Sequence, residues 1–243
     1  MLNKKRIMHN ISLALLAAAL STAIIGCDDD DVATIADDNT ADTLLAVDDS
    51  GNSVIDNNAL ENSLDQLATG EISPQEEAGL LFMREEEKLA RDVYLTLYDT
   101  WNQQIFKNIS DSEQTHTDAI LSLLQKYEIP DPVGNNAIGV FVNQDLQALN
   151  DSLVNTGNAS LIDALQVGAA IEEIDIIDIE KREEDVINND DIISVYEMLL
   201  KGSRNHLRAF IKNLENQGIT YQPQYLSQAE YDAIINAEME RGN

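Results

Sequence analysis

The residues of this sequence that could do chemistry are two histidines and the carboxylates spaced around them. The chain has three histidines, and His9 lies in an N-terminal segment that we expect to be removed, which leaves His116 and His206. Glu113 precedes His116 by three residues. In a helix, side chains three residues apart lie on the same face, so this spacing predicts a carboxylate and an imidazole side by side. Such a pair is typical of a metal site.

A long helix, helix A, is predicted to carry the first further carboxylate. Ser73 and Pro74 are typical of a helix start, and the apolar pattern continues to about Trp101. Steps of three and four residues define an inward face with Glu87 on it and Glu86 on the neighbouring stripe. The other members of this face are Leu80, Met83, Ala90, Tyr94 and Leu97.

Helix B is predicted from about Ser110 to Glu128, because Pro130 cannot continue a helix. Its inward face contains both Glu113 and His116. The remaining members of that face are Ile109, Ile120, Leu123 and Tyr127.

Residues 129–159 form a long connection, with a short helix predicted around Gln144 to Val154. Two adjacent antiparallel helices need only a few connecting residues, so this length predicts a crossover between helices B and C. Helix C is predicted from about Ser160 to Val186. Its inward face has Glu172 and Asp175, with Glu173 at the edge.

Helix D is predicted from about Asp191 to Asn216, with Gly218 just beyond its end. His206 lies on its inward face, and Ser203 precedes it by three residues. A short final helix is predicted over 227–241. Few prolines and few β-branched runs favour an all-α domain.

Inward carboxylates need positive charge, because burying one without a partner costs several kcal/mol. One or two metal ions would supply that charge. Oxygen and imidazole ligands suit iron or manganese, and zinc also fits. The predicted ligands are Glu87, Glu113, His116, Glu172 and His206, with Glu86, Glu173 and Asp175 as alternative carboxylates.

This set resembles the two-metal site of ferritin-like proteins, which takes a Glu from each of two helices and a Glu-x-x-His from each of the other two. Four segments, MREEEKLARDVY (83–94), SEQTH (112–116), IEEID (171–175) and GSRNHLRAF (202–210), also resemble one ferritin-like family, the domain of unknown function 2202. The resemblance covers roughly residues 75–220. It implies a ferritin-like four-helix bundle and no established activity.

Helix D departs from the ferritin-like pattern at Ser203, where that pattern has Glu. Asp175, one turn after Glu172, could supply the absent carboxylate. Otherwise the site is asymmetric or holds one ion. Tyr94, seven residues after Glu87, resembles the tyrosine found near the site on helix A of ferritin-like proteins.

Residues 1–26 are typical of an export signal, since Lys4, Lys5 and Arg6 precede an apolar stretch too short to span a bilayer. Cys27, the only cysteine, follows Ile24-Ile25-Gly26 and resembles the lipidated cysteine of bacterial lipoproteins. We therefore expect an exported, lipid-anchored protein of the cell envelope. A signal without lipidation would instead give a soluble exported protein.

Residues 27–72 are rich in Asp and Asn, and we expect a disordered acidic tether before a folded domain at 73–243. In a Gram-negative host Asp28 would favour the inner membrane. The formal charge of −29 argues against a nucleic-acid partner. An oligomer is compatible with this organisation, whereas a closed ferritin cage is not expected on a tethered, lipid-anchored chain.

Three functions remain open on the sequence. The first is a metal site with oxidase, peroxide-handling or iron-handling chemistry. The second is a non-catalytic binding or structural module of the envelope. The third is metal sequestration without turnover.

Overall fold

The computed structural model describes residues 45–47, 53–64, 66–67, 70–186 and 188–241. The predicted signal at 1–26, with Cys27 and Asp28, lies outside these residues. The described part is mainly helical, which confirms the all-α prediction in its main feature. A two-stranded hairpin is added to the helices.

Within the described ranges, the elements follow one another as a two-stranded antiparallel sheet, one short helix and then six further helices. In chain order they are β1 (Leu45–Val47), β2 (Ser53–Ile55), α1 (Asn57–Leu64), α2 (Pro74–Trp101), α3 (Gln104–Lys126), α4 (Gln144–Gly157), α5 (Leu161–Glu183), α6 (Asp190–Asn216) and α7 (Gln228–Ile235). Helices α2, α3, α5 and α6 correspond to the predicted helices A to D.

The four long helices pack around one core. Helix α2 packs along α3 and α5 along α6, and further contacts between α2 and α5 and between α3 and α6 close the ring. Three aromatic side chains, Tyr94, Phe106 and Phe210, are in mutual contact at its centre, with ring centroids 5.3 to 6.4 Å apart. The inward faces predicted from the sequence are therefore buried against one another.

Helix ends follow the capping chemistry in some places and depart from it in others. Ser73 caps α2 by accepting from the Glu76 amide at 3.2 Å, while the Glu76 carboxylate accepts from the Ser73 amide at 2.7 Å. Helix α3 begins at Gln104, about six residues before the predicted start. Ser110 does not cap this helix, because its hydroxyl donates to the Lys107 carbonyl at 2.8 Å inside it. Helix α7 is also shorter than predicted.

The connection between α3 and α5 carries α4, which packs on α2 and α5. This agrees with the predicted long crossover. Glu85 on α2 holds the connection, since its carboxylate accepts from the backbone amides of Val142 at 2.5 Å and Asn143 at 2.9 Å. Asn143 then caps α4 by accepting from Asp145 and Leu146.

The prediction of a disordered tether over 27–72 is wrong for residues 45–47 and 53–64. Strand β1 pairs antiparallel with β2, β2 contacts α3 and α6, and α1 contacts α3. Leu45, Ile55 and Leu60 are each at most 2% exposed. These elements are too short to show a period in the sequence, and their apolar side chains are buried by helices distant in the chain.

Across the residues that the structure describes, no helix combines the length and the apolar character needed to cross a membrane.

Candidate metal centre

All five predicted ligands meet between the four long helices. Glu87 comes from α2, Glu113 and His116 from α3, Glu172 from α5 and His206 from α6, and each is at most 1% exposed. They form two groups of three with ligand atoms within 4.8 Å of one another, and Glu113 belongs to both. The groups are Glu87, Glu113 and His116, and Glu113, Glu172 and His206.

Each imidazole presents its Nδ1 atom to two carboxylates. His116 Nδ1 lies 3.0 Å from Glu113 Oε2 and 3.3 Å from Glu87 Oε2. His206 Nδ1 lies 2.8 Å from Glu113 Oε1 and 3.4 Å from Glu172 Oε2. The two rings are nearly parallel, at 19°, with centroids 5.4 Å apart. Glu113 therefore directs one oxygen toward each histidine.

Several of these close atom pairs lack hydrogen-bond geometry. Within the described part of the chain, neither oxygen of Glu113 nor Nδ1 of His206 has a hydrogen-bond partner. Glu87 Oε1 and Glu172 Oε2 are likewise unpaired among the described residues. Ligands about 2.1 Å from a common ion lie about 3 Å apart and direct their lone pairs at the ion rather than at one another. The donor set fits a metal for this reason.

Burial and mutual charge shift the pKa values of these groups strongly. Burial raises the pKa of Glu87 to about 8, against the opposing effect of His116. Burial also opposes ionisation of Glu113, but the His116 and His206 imidazoles outweigh it and hold the Glu113 pKa well below its usual range. The pKa of His206 is raised to about 9, because Glu172 and Glu113 outweigh the lowering effect of burial. Without a metal, protons must balance part of the carboxylate charge.

Ser203, three residues before His206 on α6, is hydrogen-bonded to Asp175 on α5. The Ser203 hydroxyl donates to Asp175 Oδ2 at 2.6 Å. Asp175 Oδ1 is buried and has no hydrogen-bond partner in the described residues. Burial and the nearby Glu87, Glu113 and Glu172 carboxylates raise the pKa of Asp175 well above its ordinary value. Asp175 thus borders the cluster without belonging to either group of three.

Glu173, an alternative ligand on the sequence, lies away from the cluster and has a structural role. Its carboxylate accepts from the Tyr221 hydroxyl at 2.6 Å and from the backbone amides of Gln224, Tyr225 and Leu226 at 2.7 to 3.1 Å. These bonds hold the segment between α6 and α7 against α5. Its position at the edge of the predicted face was the indication that it points elsewhere.

Glu86, the other alternative, is buried but is not grouped with the histidines. It lies beside Asp175 in a small enclosed space between α2, α4 and α5. Neither of its oxygens has a hydrogen-bond partner among the described side chains. Burial and then the Asp175, Asp178 and Glu87 carboxylates raise the pKa of Glu86 well above its ordinary value.

Tyr94 also touches the site, as its resemblance to the ferritin-like tyrosine implied. Its hydroxyl donates to Glu172 Oε1 at 2.5 Å. Burial and the adjacent Glu172 raise the pKa of this phenol well above its ordinary value, so the hydroxyl keeps its proton. Tyr94 therefore orients the Glu172 carboxylate.

Two serines that the sequence did not indicate lie at the outer nitrogen of His206. Ser53 Oγ and Ser112 Oγ each lie 2.8 Å from His206 Nε2. Ser112 directly precedes Glu113, so its place on the same helix could have suggested it. Ser53 is in the segment expected to be a tether, and no sequence pattern places it near a histidine.

Close backbone approach completes the site. A Cβ atom on Gly202 would lie 2.5 Å from His116 Cε1 and Nε2, so the His116 ring packs directly on the α6 backbone. The Phe210 ring likewise packs directly on the α5 backbone at Gly168, since a Cβ atom added there would lie 2.3 Å from Phe210 Cε1.

Comparison with known proteins places the chain in a family. The sequence model of an uncharacterized protein domain, DUF2202, matches residues 76–238. Uncharacterized protein MJ0754 of Methanocaldococcus jannaschii is 58% identical over 171 residues, which are 70% of this chain and 92% of that protein. The crystal structure of hypothetical protein MJ0754 from Methanococcus jannaschii matches with a TM-score of 0.70 and 56% identity, over 72% of this chain and 99% of that chain.

The family that four sequence motifs predicted is thus confirmed. Glu87, Glu113, His116, Glu172 and His206 all lie inside the matched range. Because the match extends over residues 76–238 of 243, this chain belongs to the DUF2202 family.

Proposed function

We propose that this protein binds two transition-metal ions between α2, α3, α5 and α6, with Glu113 bridging them. The observation that carries the proposal is the shared carboxylate. Each Glu113 oxygen approaches a different imidazole Nδ1, at 3.0 and 2.8 Å, yet neither oxygen makes a hydrogen bond within the described chain. Glu87 and His116 would complete one ion's protein ligands, and Glu172 and His206 the other's.

Charge balance favours two ions over one. Glu87, Glu113, Glu172 and Asp175 together carry four negative charges when ionised, and two divalent cations would neutralise them. The basic residues near Glu87 in the sequence form ion pairs with other carboxylates: Lys88 pairs with Asp92, and Arg84 pairs with Asp131 at 3.0 Å. A buried set of carboxylates without compensation would cost several kcal/mol for each charge.

The proposed fold is a ferritin-like four-helix bundle. Its support is the origin of the ligands: one Glu from each of α2 and α5, a Glu-x-x-His from α3 and a histidine from α6. The fourth carboxylate of such a site would be Asp175, which Ser203 orients by its hydrogen bond. The proposed site is therefore asymmetric, because Asp175 on α5 takes the place of a glutamate on α6.

Iron or manganese fits the oxygen-rich ligand set best, and zinc also fits. Bound iron or manganese would supply redox chemistry toward oxygen or peroxide. The chain's own contribution is to bind the ions, to exclude water through complete burial, and to hold Glu172 through the Tyr94 hydroxyl. Sequestration of metal without turnover would use the same ligands.

We also propose that the protein is exported and anchored to the cell envelope through a lipid on Cys27. Support comes from the basic residues, the short apolar stretch and the cysteine that ends it. Mass spectrometry of the N-terminal peptide from the native host should find a diacylglyceryl group on Cys27. A Cys27→Ser chain should be recovered without lipid, and an unmodified Cys27 at the mature N-terminus would contradict anchoring.

Elemental analysis and calorimetric titration test the metal site. The full chain with Cys27→Ser, stripped and titrated anaerobically with Fe(II) or with Mn(II), should take up two ions per chain at the site. Anaerobic Fe(II) loading followed by oxygen or by peroxide would then separate turnover from sequestration. A protein that binds neither ion, and is not stabilised by either, would be a structural module instead.

A further inference from the structure

Strand β2 brings a hydroxyl group from the N-terminal segment to the outer side of His206. Ser53 is fully buried, and its Oγ lies 2.8 Å from His206 Nε2 and 3.0 Å from Ser112 Oγ. It would also lie 3.1 Å from a Cβ atom on Gly202. β2 contacts both α3 and α6, so the strand covers the histidine side of the site.

The hydroxyl groups can be arranged so that both serine oxygens face His206 as acceptors. The Ser112 hydroxyl donates to the Ser53 carbonyl, which leaves its oxygen lone pairs free. The Ser53 hydroxyl can then donate to Ser112 Oγ. In this arrangement both oxygens can accept from Nε2–H of His206.

This arrangement selects one tautomer of the neutral imidazole. With the proton on Nε2, the Nδ1 lone pair faces Glu113 and Glu172, where the metal is proposed to lie. With the proton on Nδ1, the metal could not bind that atom, and the Ser53 hydroxyl would have to turn from Ser112 Oγ to donate to Nε2. A hydrogen bond to the second nitrogen commonly fixes the orientation and tautomer of a metal-binding histidine.

We infer that Ser53 is a positioning residue of the metal site, which holds His206 with Nδ1 free to bind the metal. The inference rests on the proposed metal-binding function. The family match begins at residue 76, so this contact comes from a part of the chain outside the matched domain. The N-terminal segment thereby contributes to the site that the four long helices build.

The first test compares Ser53→Ala with Ser110→Ala in the full Cys27→Ser chain. Ser110 is an equally buried serine on α3 whose hydroxyl donates to the Lys107 carbonyl, away from the site. Titration with Co(II), followed by its visible absorption, should show about a 10- to 100-fold loss of affinity at one site in Ser53→Ala, as for other residues that orient metal ligands. Ser110→Ala should bind as the parent chain does.

Nitrogen-15 NMR of the Zn(II)-loaded parent chain provides a readout that packing alone would not change. His206 should carry its proton on Nε2, and this proton should exchange with water more slowly than in Ser53→Ala. The double variant Ser53→Ala/Ser112→Ala should lose more affinity than either single variant.

Two results would overturn the inference while leaving the metal site standing: equal Co(II) affinity in Ser53→Ala and Ser110→Ala, or an Nε2 proton of His206 that exchanges with water as fast in the Zn(II)-loaded parent as in Ser53→Ala. A parent chain that binds no Co(II) or Zn(II) would remove both the inference and the proposed function. If Ser53→Ala fails to fold, the parent chain still decides, because an Nε2 proton of His206 that exchanges with water as fast as that of an imidazole without a hydrogen bond would overturn the inference.

Discussion

Two buried glutamates of this protein, Glu113 and Glu173, show how the surroundings of a carboxylate decide its role. Glu173 accepts hydrogen bonds from a tyrosine hydroxyl and three backbone amides. Glu113 is equally buried, but its oxygens face two imidazoles and make no hydrogen bond within the described residues. The Glu173 carboxylate therefore has its hydrogen-bond partners within the protein, whereas the Glu113 oxygens are free to bind a ligand.

Substitution of these two residues should separate metal binding from stability. Glu113→Gln should abolish uptake of both ions, because one bridging carboxylate serves both groups. Glu173→Ala should keep both ions but lower the free energy of unfolding by more than about 3 kcal/mol, since it removes several hydrogen bonds to a charged group, each worth about 1.5–3 kcal/mol. Metal stoichiometry and urea unfolding of the metal-free chains would measure the two effects. Full metal uptake by Glu113→Gln would refute the bridging role.

At the scale of the elements, the close approach of helix backbones determines where the ligands can lie. Gly202 lets the His116 ring pack on α6, and Gly168 lets the Phe210 ring pack on α5. An added methyl group would collide with a ring at either position, but only one of these rings belongs to the metal site.

Gly202→Ala and Gly168→Ala therefore form a matched pair. Both should lower the free energy of unfolding by about 1–3 kcal/mol, the usual cost of overpacking. Gly202→Ala should also weaken metal binding, because it displaces His116, whereas Gly168→Ala should bind metal as the parent does. Thermal unfolding and Co(II) titration would measure both properties. Equal metal affinity in the two variants would contradict the placement of His116 against α6.

The connection after α3 is held to α2 by an ion pair that should respond to pH. Arg84 donates to both oxygens of Asp131 at 3.0 Å and to the Thr117 carbonyl at 2.7 Å. Partial burial opposes ionisation of Asp131, but the Arg84 guanidinium outweighs it and holds the pKa of this carboxyl below its ordinary value.

Because the pKa of Asp131 is lower in the folded state, its ionisation stabilises the fold. This contribution is fully present above the pKa of Asp in the unfolded chain, about 3.9, and is lost as the pH falls through the folded-state pKa. Asp131→Asn should therefore be less stable than the parent at pH 7, and the difference should shrink below about pH 4. Asp99→Asn, at an exposed position of α2, is the control for the loss of one negative charge. Urea unfolding at a series of pH values would measure both, and a difference independent of pH would contradict the ion pair.

On the scale of the whole molecule, the site joins four helices, so a bound metal should stabilise them together. Mn(II) at about 100 times its dissociation constant should add about 2.7 kcal/mol for each site, which corresponds to roughly 5–10 °C in the melting temperature of a domain of this size. Differential scanning calorimetry would measure the shift. Glu113→Gln should show none, and an equal shift in that variant would place the bound ion outside the proposed site.

The sequence alone predicted the four long helices, the residues on their inward faces, the two inward histidines and the family. It could do so because helical periodicity and capping are local properties, and because two inward histidines are unusual enough to stand out. The start of α3 was misplaced by about six residues, because the residue that precedes this helix, Gln103, makes no side-chain capping hydrogen bond that would mark the start.

Only the tertiary structure decided which carboxylates converge. Glu172 and Glu173 are adjacent in the sequence, yet one faces the histidines and the other binds the segment before α7, because the helix directs successive side chains to different neighbours. The contact between Ser53 and His206 could not be predicted from the sequence either. Short strands carry little local information, and the burial of β2 depends on contacts with helices about 60 and 150 residues later in the chain.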